Sequence, residues 1–155
     1  MFKRQFAKGI LWEEVSEKSP QLHEFLQVHS ITNNFKTSIW SKILFRKDYL
    51  FLMHDHYHAI LIWRRARLFS SQKGVECYLF INNSFTFHHE LITEAVEIVK
   101  NVWREDRFFV NIKEHNIRHT TGDCFAIAGW SVQENHRCNR KYMALQYCHS
   151  IALGK

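Results

Sequence analysis

Proline and glycine are scarce in this chain of 155 residues, which has one proline and five glycines. Disordered segments are usually rich in both residue types and poor in apolar ones, so this composition argues against a disordered protein. Apolar residues make up 46% of the sequence, enough to form a core in a chain of this length. No internal repeat or low-complexity tract marks a boundary. We therefore expect a single domain over residues 1–155.

The sequence also lacks long apolar runs and closely spaced cysteine pairs. Its apolar runs, such as Tyr49 to Met53, are far shorter than the roughly 20 residues that span a bilayer. No apolar segment of a signal peptide follows the charged start Met1-Phe2-Lys3-Arg4. We therefore expect a soluble, intracellular protein that is not secreted and has no membrane partner. We expect free thiols, because no C-x-x-C pair occurs among Cys77, Cys124, Cys138 and Cys148.

Acidic residues are outnumbered by basic ones, with 15 Asp and Glu against 21 Lys and Arg and a net charge of +6. An excess of this kind weakly favours a polyanionic partner. The segment Arg64-Arg65-Ala66-Arg67 follows Trp63, and with Lys73 it would form a basic hairpin loop. Such a loop suits sequence-independent contacts with DNA or RNA. The alternative interpretation is a solvated loop without a partner.

Hydrophobic periodicity predicts an α+β fold, with a small mixed or antiparallel sheet packed by helices. The clearest helix is His88–Trp103, whose apolar residues form one stripe of period 3.6. Two apolar runs joined by a polar loop predict an antiparallel strand pair. The expected strands are Tyr49–Met53, a run ending at Trp63, Val75–Ile81 and Phe108–Ile112. The other expected helices are two pieces within residues 1–30 broken at Ser19-Pro20, one at Cys124, and one from Asn139 to Leu153.

The stretch around Cys124 is the first candidate for chemistry. Thr120, Thr121 and Asp123 can each accept backbone N–H bonds at the start of a helix. Cys124 would then lie in the first turn, where the helix dipole favours the thiolate, the nucleophilic form of cysteine. The alternative is that Cys124 is a small buried side chain in a core helix.

Three alternating histidines precede a predicted strand. If His54, His56 and His58 belong to that strand, their side chains share one face. One of them could then serve as a general base for Cys124, or the group could bind zinc. A zinc site would need another ligand, and no spacing identifies one among Cys77, His88, His89 and Cys124. We therefore predict no metal.

Asn82 and Asn83 end the strand that is expected to pair with the histidine strand. A side-chain amide there can accept a hydrogen bond from an imidazole and fix its tautomer. The sequence Asn-Asn-Ser is equally typical of an ordinary turn.

The order of these features resembles the adenovirus maturation protease and the clan it shares with SUMO-specific (Ulp-type) cysteine proteases. The segment from His58 to Trp63 is similar to the family's histidine strand. The segment from Cys77 to Phe85 looks like the adenoviral strand that ends in an acidic residue. Asp123-Cys124 is similar to the Asp-Cys pair of Ulp-type members. The resemblance covers residues 49–130, roughly half of the chain.

The resemblance implies a viral cysteine endopeptidase, located in the host cell or the virion, that processes structural precursors. Cys124 would be the nucleophile and His58 the base, with His56 as the alternative base. Asn82, or else Asn83, would orient the imidazole. The partners would be a protein substrate and non-specific DNA or RNA, and nucleic acid could stimulate the enzyme without any other cofactor. We expect a monomer.

Several positions depart from the family pattern. Ala59 replaces a Trp, Phe125 replaces a Gly, and Ile81 occupies the strict acidic position. Arg118 stands where the family places the Gln of its oxyanion hole, which leaves Asn116 or backbone N–H groups as donors. The resemblance also admits an isopeptidase or acetyltransferase. The alternative from another class is a basic domain that binds nucleic acid or protein without catalysis.

Overall fold

The computed structural model describes residues 4–29, 48–54, 56–65, 74–111, 123–133, 137–139, 142–143 and 146–150. These ranges contain three helices, namely α1 Pro20–His29, α2 His88–Trp103 and α3 Asp123–Ile127. The first five strands are β1 Trp12–Val15, β2 Tyr49–His54, β3 Ala59–Arg65, β4 Val75–Asn82 and β5 Arg107–Asn111. The remaining strands are β6 Ser131–Gln133, β7 Arg137–Asn139, β8 Tyr142–Met143 and β9 Gln146–Ser150.

Seven of these strands form one mixed sheet in the order β1-β2-β3-β4-β5-β9-β6, and β7 and β8 form a separate pair. All neighbours in the sheet are antiparallel except β4 and β5, which are parallel. Helix α2 makes the long connection that a parallel pair requires. The predicted α+β class, the antiparallel pair β3–β4 and helix α2 are confirmed.

Helix α1 covers one face of the sheet. Leu22, Phe25 and Leu26 pack there against alternate side chains of β2, β3 and β4. The remaining side chains of these strands face α2 on the other side. Because both faces are covered, β2 and the first five residues of β3 are buried without interruption. No helix in the described part of the chain is long and apolar enough to cross a membrane.

Helices α2 and α3 lie on the second face. The predicted apolar stripe of α2 is largely buried, and it packs with Trp12, Trp63 and Phe108 in one cluster. Cys124 and Phe125 of α3 belong to the same cluster. The helix that carries the candidate nucleophile is therefore fixed to the same side of the sheet as α2.

The N-terminal segment is a strand, so the first predicted helical piece is wrong, whereas α1 confirms the second. Glu14 of β1 is buried, which a strand edge tolerates only when the carboxylate is paired. Arg4 forms an ion pair with this carboxylate, and the N–H of Ala7 donates to it at 3.0 Å. These partners come from irregular backbone, which helical periodicity cannot anticipate.

Residues near the C-terminus form strands, so the predicted helix from Asn139 to Leu153 is wrong. Strand β9 lies between β5 and β6 and pairs with both. Tyr147 and Cys148 are buried there. Pairing on both edges outweighs the helix propensity of this segment, because propensity differences amount to only about 1 kcal/mol per residue.

Glu94 of α2 fixes the turn that leads into β1. Its carboxylate accepts the backbone N–H groups of Ile10, Leu11 and Trp12 at 2.7, 2.7 and 2.9 Å. A Cβ atom at Gly9 would lie 2.7 Å from the Glu94 carboxyl carbon, so glycine permits this approach. The indole N–H of Trp12 also donates to the carbonyl of Leu91 at 2.7 Å. These contacts join α2 to the edge of the sheet.

Candidate functional site

A cleft of about 620 Å³ opens at the end of the sheet where β4 stops. The loop from β4 to α2 and the start of α2 form one wall, and α3 forms the other. The cleft is lined by Asn82, Ser84, Phe85, Thr86, Phe87, His88, His89, Asp123, Cys124 and Ile127.

Cys124 lies in the first turn of α3, as predicted, and it is 7% exposed. The next residue, Phe125, is fully buried against the rings of Trp130 and Tyr147, at centroid distances of 4.9 and 6.2 Å. Trp130 N–H donates to the Phe125 carbonyl at 2.9 Å, and Gly129 takes a positive φ of 94° between them. The packing of Phe125 therefore anchors the helix turn that carries Cys124.

Asn82 forms hydrogen bonds that fix the conformation of the opposite wall, the loop from β4 to α2. Its Oδ1 accepts the Ser84 N–H at 2.9 Å and the Ser84 hydroxyl at 2.6 Å. Its Nδ2 donates to the Thr86 carbonyl at 2.8 Å. A backbone donor and a backbone acceptor thus fix which atom of the amide is oxygen and which is nitrogen.

The second Nδ2 hydrogen of Asn82 points to His88, with Nδ2 and Nδ1 2.7 Å apart. Since the amide is the donor, the neutral imidazole carries its proton on Nε2. The ring of His88 also packs edge-on against Phe80, with centroids 5.6 Å apart. The predicted contact between Asn82 and an imidazole is present, but the imidazole belongs to His88, and Asn82 donates instead of accepting.

The alternating histidines do not share one strand face, so that prediction is wrong. His54 ends β2, whereas His56 and His58 lie in the turn before β3. Within this turn Tyr57 takes a left-handed φ of 58°, which breaks the two-residue repeat. His54 is buried edge-on to Trp12, and its Nε2 lies 3.4 Å from the Thr86 hydroxyl.

His56 and His58 are exposed and are not among the residues that line the cleft. His58 lies beside the β4 end, because its carbonyl accepts the Asn83 N–H at 2.8 Å and Ala59 pairs with Asn82. The cleft therefore brings Cys124 together with Asn82 and His88, while His58 and Asn83 lie outside it.

The other cysteines lie in strands, whereas Cys124 lies in a helix. Cys77 is buried in β4, and burial, together with the nearby Glu76 and Cys124, raises the pKa of its thiol well above the usual value. Cys148 is buried in β9, where burial raises its thiol pKa and Arg107 partly offsets that effect. Cys138 lies in β7.

Two of the arginines predicted to contact nucleic acid interact with other side chains of the protein. Arg64 and Arg65 belong to β3 and not to a solvated loop. Arg64 forms an ion pair with Glu76 and stacks over Tyr78 at 4.4 Å, and Arg65 stacks over Trp103 at 4.6 Å. Arg64 pairs with Glu76 across β3 and β4, which places the two charged side chains side by side. Arg67 and Lys73 lie outside the described residues, so binding of DNA or RNA stays a prediction.

Three other predicted residues, Asn116, Thr120 and Thr121, also lie outside the described residues. Within the described ranges, no group of three or more His, Cys, Asp or Glu side chains could hold a metal ion.

His88 was expected from the sequence only as a possible metal ligand, and its contact with Asn82 was not predicted. The signal was the spacing of six residues between Asn82 and His88, across a segment with turn chemistry. A tight reversal from a strand into a helix can bring such residues together. All seven residues from Asn82 to His88 are polar or aromatic, so the segment has no hydrophobic periodicity from which to infer that reversal.

Comparison with known proteins adds no assignment, because no family model matches the chain and no curated protein matches it significantly.

Proposed function

We propose that the protein is a cysteine endopeptidase in which Cys124 is the nucleophile, His88 exchanges the proton and Asn82 positions the imidazole. The observation that carries this proposal is the shared cleft: a first-turn cysteine on one wall, and on the other an imidazole hydrogen-bonded to a fully engaged amide. This grouping has the parts of a thiol hydrolase, namely a nucleophile, a base and an orienting group.

The reaction would begin with attack of the Cys124 thiolate on the carbonyl carbon of a peptide bond. In this scheme, backbone N–H groups in the first turn of α3 would donate to the developing oxyanion. The C–N bond then breaks, and the leaving amine takes the proton that His88 received from the thiol. Water, deprotonated by His88, hydrolyses the thioester and restores the free thiol.

In this scheme, the hydrogen bond from Asn82 Nδ2 to His88 Nδ1 belongs to the resting state of the enzyme. A doubly protonated imidazole carries a hydrogen on Nδ1, which cannot face the Nδ2 donor of Asn82. Proton transfer therefore requires the Asn82 amide to rotate and present Oδ1, giving up its contacts with Ser84 and Thr86. An aspartate at position 82 would offer acceptors on both oxygens and favour the imidazolium.

The test is acylation by p-nitrophenyl acetate, in which Cys124 takes the acetyl group and p-nitrophenolate leaves. The wild-type protein should release a first equivalent of p-nitrophenolate in a rapid burst, with one acetyl group on Cys124 by peptide mapping, before a slower steady release as the thioester is hydrolysed. Loss of the proton acceptor in His88→Ala should slow acylation about 100-fold at neutral pH. His58→Ala is the matched control and should stay within about twofold of wild type.

An Asn82→Asp variant provides a further arm, and it should acylate faster than Asn82→Ala because it supports the imidazolium. Slow acylation in His58→Ala with a normal rate in His88→Ala would show that His58, and not His88, is the general base. Equal rates in all the variants would mean that neither histidine assists Cys124.

A further inference from the structure

Large apolar side chains are exposed on both walls of the cleft. Phe85 is fully exposed, Phe87 is 67% exposed and Ile127 is 68% exposed. Removing apolar surface from water is favourable, so a ligand that covers these side chains gains binding free energy. Ile127 lies one helical turn after Cys124, on the same side of α3.

The wall that carries the two phenylalanines is held in place before any ligand arrives. Asn82 binds Ser84 and Thr86, and the Ser84 hydroxyl accepts the Thr86 N–H at 3.1 Å. Ser84 and Thr86 are thereby half-buried, while Phe85 and Phe87 alternate with them and project outward. A fixed wall loses little conformational entropy when it binds.

The spacing and charge of the cleft identify the class of ligand. Phe85 and Phe87 are two residues apart, and Phe87 has extended backbone angles of −64° and 141°. An extended peptide repeats its side chains with this same period, and its amides can meet the polar groups between the rings. The residues described as lining the cleft include Asp123 but no Lys or Arg, which disfavours a polyanion.

We infer that the cleft binds an extended polypeptide with a large apolar side chain, aromatic or branched aliphatic, on the residue next to the bond that Cys124 attacks. This inference rests on the proposed function. Phe85 and Phe87 cover that side chain from the α2 wall, and Ile127 covers it from α3. Glycine or aspartate at the same position leaves the apolar surface exposed and binds more weakly.

The experiment uses peptidyl vinyl sulfones that differ only in the residue next to the warhead: Phe, Leu, Gly or Asp. The thiolate of Cys124 adds to the β-carbon of the vinyl group: a C–S bond forms, the C=C π bond breaks, and the α-carbon takes a proton from water. Labelling rates are followed by intact mass. The Phe and Leu probes should label the wild-type protein at least about 10-fold faster than the Gly probe, with the Asp probe slowest.

Substitutions on the two walls test the same residues. Phe87→Ala and Ile127→Ala should each reduce the ratio of Phe-probe to Gly-probe rates about 5-fold or more. Val28→Ala removes a comparably exposed side chain from α1, on the opposite face of the sheet, and should leave the ratio unchanged.

Iodoacetamide has no peptide or side chain for the cleft to recognise. It therefore distinguishes failure of the apolar substrate preference from failure of the proposed thiol chemistry. If iodoacetamide labels Cys124 but the Phe, Leu and Gly probes react at equal rates, the apolar substrate class is overturned and the thiol chemistry stands. If neither iodoacetamide nor any probe labels Cys124 in the folded protein, the proposed function is wrong, and the inference that rests on it is wrong as well.

Discussion

Replacing Cys124 with serine should abolish turnover of p-nitrophenyl acetate, with a loss of at least about 1000-fold. A serine hydroxyl is far less acidic than a thiol, so the hydroxyl remains protonated and His88 cannot ionise it to a comparable extent. The measurement is the steady rate of p-nitrophenolate release after the first equivalent. Serine is close to cysteine in size, and Cys124→Ser should therefore keep the wild-type thermal transition.

Serine variants of Cys138 and Cys148 are the matched controls. Cys148 is buried in β9 and is not among the residues that line the cleft of Cys124, and Cys138 lies in β7. Both variants should retain the wild-type rate of release. Full activity in Cys124→Ser, or its loss in Cys148→Ser, would contradict the assignment of the nucleophile.

Replacing Glu94 with alanine should lower the free energy of unfolding by about 3 kcal/mol. The carboxylate accepts three backbone N–H groups at the entrance to β1, and charge-assisted hydrogen bonds of this kind rank among the stronger ones. Without it, these donors lose their partner and the first strand loses its tie to α2. The measurement is urea unfolding, with a fall in Tm of about 10 °C as a second readout.

Glu97→Ala is the control, because Glu97 lies on the same helix. Its side chain is largely exposed, and its carboxylate lies 3.9 Å from the Lys100 ammonium, at the limit of an ion pair. Its loss should change stability by less than about 0.5 kcal/mol. Equal effects of the two substitutions would show that the Glu94 contacts do not fasten β1.

The central strands and α2 were predictable because burial imposes a regular period on them. β2, β3 and β4 carry apolar runs, and α2 carries a stripe that repeats every 3.6 residues. The chain ends were mispredicted because their structure depends on distant partners. β1 needs Arg4 for Glu14, and β9 needs strands on both sides.

The candidate site was predictable in part for the same reason. Asn82 and Cys124 stand at the ends of regular elements, so their positions followed from the element order. His88 enters the site through the loop that Asn82 itself folds, by contacts with Ser84 and Thr86. The positive φ of Tyr57 interrupts the strand, so His54, His56 and His58 do not share the strand face on which His58 was expected to act as the base. Local turn conformations of this kind leave no periodic trace in a sequence.

The most direct test of the account is the order in which the cysteines of the folded wild-type protein react with iodoacetamide at neutral pH. Burial raises the pKa of the Cys77 and Cys148 thiols, whereas Cys124, which is about as buried as Cys148, lines an open cleft. Peptide mapping after limited alkylation should find Cys124 modified well ahead of these two. Modification of Cys148 first, or protection of Cys124 until the protein unfolds, would contradict a nucleophilic role for Cys124.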